Sequence, residues 1–273
     1  MPFQLKGAAA ALLLASGASA FATASSSIKL TDLTITVSAI SNKAGAATPY
    51  VTFGSSSDYL RTGEQSSSYQ IGILNPAGFF SPASMATVPD LAGGSASIAG
   101  DPFSASGGAM TATAFASGVN GGMSTAEGYA VVGDDAAWTS FTVGANTLLQ
   151  VSAHYDIAAF DHGEMYTGAY EVASYVAELT LFGTNGRSQQ NSFDSVAGSV
   201  AHVGYYFDTP FAQEGDLEVS FVGSKTSAFS GFFSATVIAN ALSDVSPVPE
   251  SGSAMLLLAG VALLATRHRK TRA

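Results

Sequence analysis

Apolar and polar residues alternate with period two along much of this chain, the signature of half-buried β-strands. In Leu33-Thr34-Ile35-Thr36-Val37-Ser38-Ala39 every apolar side chain falls on one face. Ile28 and Leu30 keep the opposite phase, which predicts a bulge or break near Thr31-Asp32. Phe141 and Val143 pair in pattern with Leu149, Val151 and Ala153 across the turn-like Gly144-Ala145-Asn146. Tyr175, Ala177, Leu179 and Leu181 share a face, with Glu178 and Thr180 on the other, and Asn185-Gly186 follows as a tight hairpin turn. The alternation returns in Val203, Tyr205 and Phe207, in Leu217, Val219 and Phe221, and in Phe233, Ala235, Val237 and Ala239. The stretch Gly93 to Gly122 is poor in charge and rich in Gly, Ala and Ser; it reads as long loops with one short strand, Met110 to Phe115. No internal repeat and no amphipathic helical period interrupts this pattern. The expectation is an all-β body over residues 21–246, an antiparallel β-sandwich of jelly-roll type.

The two ends follow other rules. Lys6 precedes an apolar run from Ala8 to Ala15, and Ala18-Ser19-Ala20 supplies a small-x-small cleavage site, with Ala22-Thr23-Ala24 as an alternative. Eight consecutive apolar residues show no 3.6-residue face, so residues 1–20 read as a secretory signal peptide. At the other end, Val248-Pro249-Glu250 and Ser251-Gly252-Ser253 lead into an apolar run from Ala254 to Ala265. Arg267, Arg269, Lys270 and Arg272 close the chain as a basic stop. Sixteen residues of helix, counted generously from Ser251 to Thr266, cover roughly 24 Å, a few ångströms short of a hydrocarbon core of about 30 Å. Snorkelling arginines can make up part of that gap, and the positive-inside rule keeps the basic end cytoplasmic. A single hydrophobic helix over 254–266, with the basic end 267–273, is therefore a marginal span that leaves the body on the far side.

This order of parts resembles the carboxy-terminal sorting signal of PEP-CTERM proteins of exopolysaccharide-producing Gram-negative bacteria. Pro249 and Glu250 match the first two positions of the Pro-Glu-Pro motif, and Ser251 stands where the second proline is expected. The resemblance covers residues 247–273 closely, and the turn Val143-Gly144-Ala145-Asn146-Thr147 is similar to the middle of many such bodies. The signal peptide predicts a signal-peptidase cut after Ala20, and the resemblance implies that an exosortase-like membrane protease acts near Pro249-Glu250. It also implies an exported envelope or extracellular protein with a structural or adhesive role near exopolysaccharide, anchored in the membrane transiently or permanently. A carbohydrate-binding or glycan-active sandwich is the alternative on the same scaffold.

Charge sharpens this division. The body carries five Lys/Arg against 19 Asp/Glu, a formal charge of −14, whereas the whole chain stands at −10. Such a surface repels nucleic acid and anionic headgroups, but it suits solubility and can recruit divalent cations. The chain has no cysteine, so disulfides, thiolate metal sites and a cysteine nucleophile are excluded and stability must come from packing.

Candidate chemistry is sparse. His154, Asp156, Asp161, His162 and Glu164 form the densest polar cluster, and imidazole with carboxylate suits zinc or calcium. The same residues also read as an acidic loop after a strand ending near Asp156. Asp134 and Asp135, after Gly133, are weak calcium donors of the same kind. Tyr166, Tyr170, Tyr205 and Tyr206 can stack on sugar rings or belong to core and strand edges. No nucleophile elbow, phosphate loop or dinucleotide fingerprint is present, so a non-enzymatic protein is expected, with calcium favoured over zinc as the ion such acids would hold.

Overall fold

A computed structural model of the chain describes residues 22–54, 58–65, 70–74, 79–87, 91–118, 122–133, 139–162, 170–185, 188–203 and 210–244. Residues 1–20, expected to be a signal peptide, and residues 247–273, expected to be a sorting tail, lie outside the described residues. Among the described residues there is no helix long and apolar enough to cross a membrane. Every described element is a strand: β1 (Ala22–Ala39), β2 (Val51–Phe53), β3 (Tyr59–Gln65), β4 (Gln70–Leu74), β5 (Ala83–Ala86), β6 (Ala92–Gly100) and β7 (Gly108–Gly118) in the first half. The second half holds β8 (Met123–Val132), β9 (Thr139–Val143), β10 (Thr147–His162), β11 (Tyr170–Asn185), β12 (Ser188–Val203), β13 (Phe211–Val222) and β14 (Phe229–Asp244).

The strands form two antiparallel sheets. The first runs β13-β10-β1-β7-β6-β5, and the second β12-β11-β14-β8-β3-β4, with β9 pairing β14 and β2 pairing β9. One continuous core draws side chains from both: Ile28, Leu30, Val151 and Ile157 of the first sheet pack with Leu179, Leu181, Val237 and Phe233 of the second. Alternation produces this directly, since period-two side chains put one face of each strand into the core and the other outside.

Side-chain size sets the local spacing of the layers. Where β6 and β7 meet β8, the inward residues are Ala92, Ala96, Ala112, Ala114, Ala126 and Ala130. The sheets there approach so closely that a methyl group on Gly94 would strike the Glu127 carbonyl, and one on Gly128 the carbonyls of Ser95 and Thr113. Towards β9, β13 and β14 the filling is aromatic, with Phe141 and Phe221 edge to face at 5.3 Å.

Several expectations from the pattern are met. The β1 ladder slips between Thr31 and Thr34, and Asp32 takes a left-handed φ of 52°, which shifts the buried set from Ile28 and Leu30 to Leu33 and Ile35. β11 and β12 pair along their whole length to Asn185 opposite Ser188, as the Asn185-Gly186 turn predicts. The inward faces of β11, β13 and β14 are those read from the alternation. The stretch Val203 to Phe207 leaves the described residues after Val203.

Three expectations are corrected. Gly93 to Gly122 holds two long strands, β6 and β7, and not loops around a short one. Its alternation runs between Ala and Ser or Thr, residues too alike in size to register as apolar and polar; Ser95 bonds Thr113 and Ser97 bonds Thr111 across the ladder, both at 2.6 Å. β10 does not end near Asp156 but runs to His162, held on both sides by β1 and β13. Finally, β9 and β10 are not hairpin partners. The turn Gly144-Ala145-Asn146 carries the chain from one sheet to the other, and β9 pairs with β2 and β14.

Candidate functional site

The longer β10 decides the fate of the predicted metal cluster. His154 and Asp156 face outwards from the first sheet, whereas Asp161 points inwards and is fully buried. At about 3.3 Å per residue, Asp156 and Asp161 stand roughly 17 Å apart along the strand and on opposite faces. They cannot share an ion. The backbone of His162 closes β10, but its side chain lies outside the described residues, as do Glu164, Asp134 and Asp135. Among the described residues no three His, Cys, Asp or Glu side chains converge.

His154 is engaged differently. Its Nδ1 lies 2.9 Å from Oδ1 of Asp216, directly opposite on β13. That hydrogen bond raises the imidazole pKa above its usual value; slight desolvation opposes it, and the charges of Asp216, Glu214 and Asp32 add to it.

That three acids are buried is not visible in their local sequence. Asp58, just before β3, is 1% exposed, and burial pushes its carboxyl up to about 7 against the backbone N–H groups of Ser81, Phe80 and Gly133. Ser81 N–H reaches Oδ2 at 3.4 Å, and Phe80 takes a left-handed φ of 53° beside it. Asp58 follows a serine run, a context that reads as a solvated loop. Only the long-range return of residues 80, 81 and 133 to its carboxyl encloses it. Asp161 and Glu171 are likewise buried, on the inner faces of β10 and β11.

The outer face of the second sheet carries the most varied set of recognition groups. Across β11, β14, β8 and β3, one row reads Ser174, Asn240, Glu127, Gly63. The next reads Val176, Ile238, Tyr129, Arg61. On the other side lie Val172, Leu242 and Thr125. A polar row thus runs between two largely apolar ones. Arg61 pairs with the Glu127 carboxylate and lies 5.1 Å over the Tyr129 ring, which in turn sits 5.1 Å from Tyr59. Asn240 Nδ2 donates to Ser174 Oγ at 3.4 Å. Glu127, Asn240 and Ser174, with Gly63, Thr125, Val172 and Leu242, line an open groove of about 470 Å³ that has Tyr170 at its β11 end. Of the tyrosines singled out from the sequence, Tyr170 is 44% exposed here, and Tyr166, Tyr205 and Tyr206 lie outside the described residues.

The outer face of the first sheet offers a second, plainer groove. Phe115 and Phe160 stand on β7 and β10 on either side of Ser25, with Phe211 and Pro210 nearby.

No protein-family model matches this chain, and neither a curated protein nor a solved structure matches it.

Proposed function

We propose that this is an exported, non-enzymatic protein of the cell envelope or extracellular matrix, delivered by its PEP-CTERM-like tail to a structural or adhesive role near exopolysaccharide. The observation that carries this reading is the ordered tail: Pro249-Glu250, the apolar run 254–265, then Arg267, Arg269, Lys270 and Arg272. Its partners in transit are signal peptidase and an exosortase-like membrane protease. Its body is a sandwich of jelly-roll type, a reading supported by the way the chain alternates between the two sheets at β8–β9, β10, β11–β12, β13 and β14. The placement of β1 supports cleavage after Ala20: that cut leaves the strand whole, whereas a cut after Ala24 would remove a buried residue paired with Asp161 and Ala116.

Intact-mass measurement of the protein recovered from the producing cell is the test. The expected mature chain begins at Phe21 and has lost the segment after about Glu250. A chain still ending in Arg272-Ala273 would refute processing and leave permanent anchoring by residues 254–266, the outcome that Ser251 in place of proline makes specific to this tail.

A further inference from the structure

We infer that the outer face of the second sheet binds a neutral polysaccharide, seated on the row formed by Ser174, Asn240 and Glu127. A sugar ring is polar around its edge and apolar across its C–H faces, so a site for it needs hydrogen-bonding groups set beside apolar or aromatic ledges. The rows supply that arrangement. Asn240 offers both donor and acceptor, Glu127 two acceptor oxygens and Ser174 a hydroxyl. Val172 and Leu242 line the groove as an apolar ledge on one side, and Ile238 and Tyr129 stand in the neighbouring row on the other. Gly63, opposite Glu127 on β3, has no side chain to fill the row, so the groove stays open there.

Charge selects the kind of polymer. Arg61 neutralises Glu127 and holds its carboxylate in place, leaving the row Ser174, Asn240 and Glu127 with hydrogen-bonding capacity and no net charge. The surrounding body stands at −14, so an acidic polymer is repelled and a cationic one is drawn to acidic surface everywhere. A neutral chain alone gains from this site specifically. Because the groove is open, each ring buries little surface, and several linked rings are needed for useful affinity. Tyr170, exposed at the groove's β11 end, extends the contact along the polymer.

The inference rests on the proposed surface role for its biological setting, but its test does not depend on sorting. The full-length chain in mild detergent would be run through native gels containing a neutral glucan, a neutral galactomannan, or alginate as the uronic-acid polymer. Retardation is expected with at least one neutral polymer, little changed by added salt, and none with alginate. Asn240→Ala and Tyr170→Ala should each weaken the retardation by about tenfold, the equivalent of about 1.4 kcal/mol. Phe115→Ala, in the groove of the opposite sheet, should leave it unchanged. Unaltered thermal melting of Tyr170→Ala, whose side chain is exposed, separates lost binding from lost folding. The inference is overturned if no neutral polymer retards the protein or if alginate does so as strongly. It is equally overturned if Phe115→Ala abolishes the retardation while Asn240→Ala and Tyr170→Ala do not. A processed, exported protein that fails in every gel sinks this inference alone. A chain that binds but keeps its full mass in the cytoplasm sinks the sorting reading alone.

Discussion

The side-chain amide of Gln190 pairs with the backbone of Val222 in both directions: Val222 N–H donates to Oε1 at 3.0 Å, and Nε2 donates to the Val222 carbonyl at 2.7 Å. The amide thus copies a peptide group of an absent neighbouring strand. Two residues further on, Ser192 Oγ accepts from Ser220 N–H at 3.0 Å, and two more on, Asp194 Oδ2 accepts from Glu218 N–H at 2.8 Å. β12 and β13 are edge strands, one from each sheet, and these three side chains occupy the outward N–H groups of Glu218, Ser220 and Val222 on β13. Unpaired edge groups template association with other chains, so the bridge both closes one side of the sandwich and guards it.

Replacing Gln190, Ser192 and Asp194 together by Ala should therefore expose that edge. Each of the four lost hydrogen bonds contributes about 1 kcal/mol, so denaturant unfolding should show a loss of about 4 kcal/mol. Sedimentation velocity should show concentration-dependent self-association that the parent lacks at the same concentration. An unchanged sedimentation profile would show that the edge is protected by something else.

Asp58 makes a pH prediction with a definite sign. Its carboxyl ionises at about 7 in the folded protein but near 3.9 when unfolded. Between those values the folded state holds a proton that the unfolded state has released, so stability falls as pH rises from about 4 to about 7 and then levels off. Asp58→Asn keeps an oxygen to accept from Ser81, Phe80 and Gly133 and removes the titration. The difference in melting temperature between this variant and the parent should widen in the variant's favour from pH 4 to pH 7 and stay constant above. A constant difference across that range would show that Asp58 is ionised throughout.

His154 should titrate above the ordinary imidazole value, because the Asp216 hydrogen bond favours its protonated form. What that interaction adds to stability is fully present below about pH 6.5 and is lost as pH rises through the folded-state pKa. NMR titration of the His154 ring would follow it directly. Asp216→Asn should lower the midpoint, and a midpoint unmoved by that substitution would contradict the assignment.

Asn146 ties three segments together from the turn between β9 and β10. Its φ is 59°, its N–H donates to Ser224 O at 2.6 Å, and its carbonyl accepts from Ile40 N–H at 3.0 Å. Its side chain accepts from Ser41 N–H at 2.8 Å and donates to the carbonyls of Ser41 and Ala47 at 2.9 and 3.0 Å. Asn146→Ala removes the three side-chain bonds at a buried, left-handed position and should cost about 3 kcal/mol in denaturant unfolding. Asn146→Gly relieves the backbone alone and should recover less than half of that loss. Equal stability of parent and Ala variant would mean the loop 41–47 is held by other contacts.

Much of the architecture was legible in the chain. Alternation named the buried faces of β1, β11, β13 and β14, because a strand with one face in a core must place every second residue there. The phase change from Leu30 to Leu33 located the bulge for the same reason: one register shift is needed to keep both apolar sets inside. The Ala/Ser alternation of β6 and β7 was not legible, since it becomes a signal only where a facing sheet comes close enough to exclude anything larger.

Site chemistry divided along the same line. Which residues lie near one another in sequence is set by the chain, and that proximity put His154, Asp156 and Asp161 in one cluster. Which of them share a face depends on whether the strand continues, and the pairing of β10 with both β1 and β13 sent Asp161 inwards and the others out. The rows that join Ser174, Asn240 and Glu127 come from three distant strands, and no local pattern anticipates them. By itself the sequence determined the all-β class and the faces of its regular strands, because both follow from periodicity and composition within a few residues. Only the tertiary structure decided which strands are neighbours, which acids are buried and where a groove can form, because those depend on pairings between segments tens of residues apart.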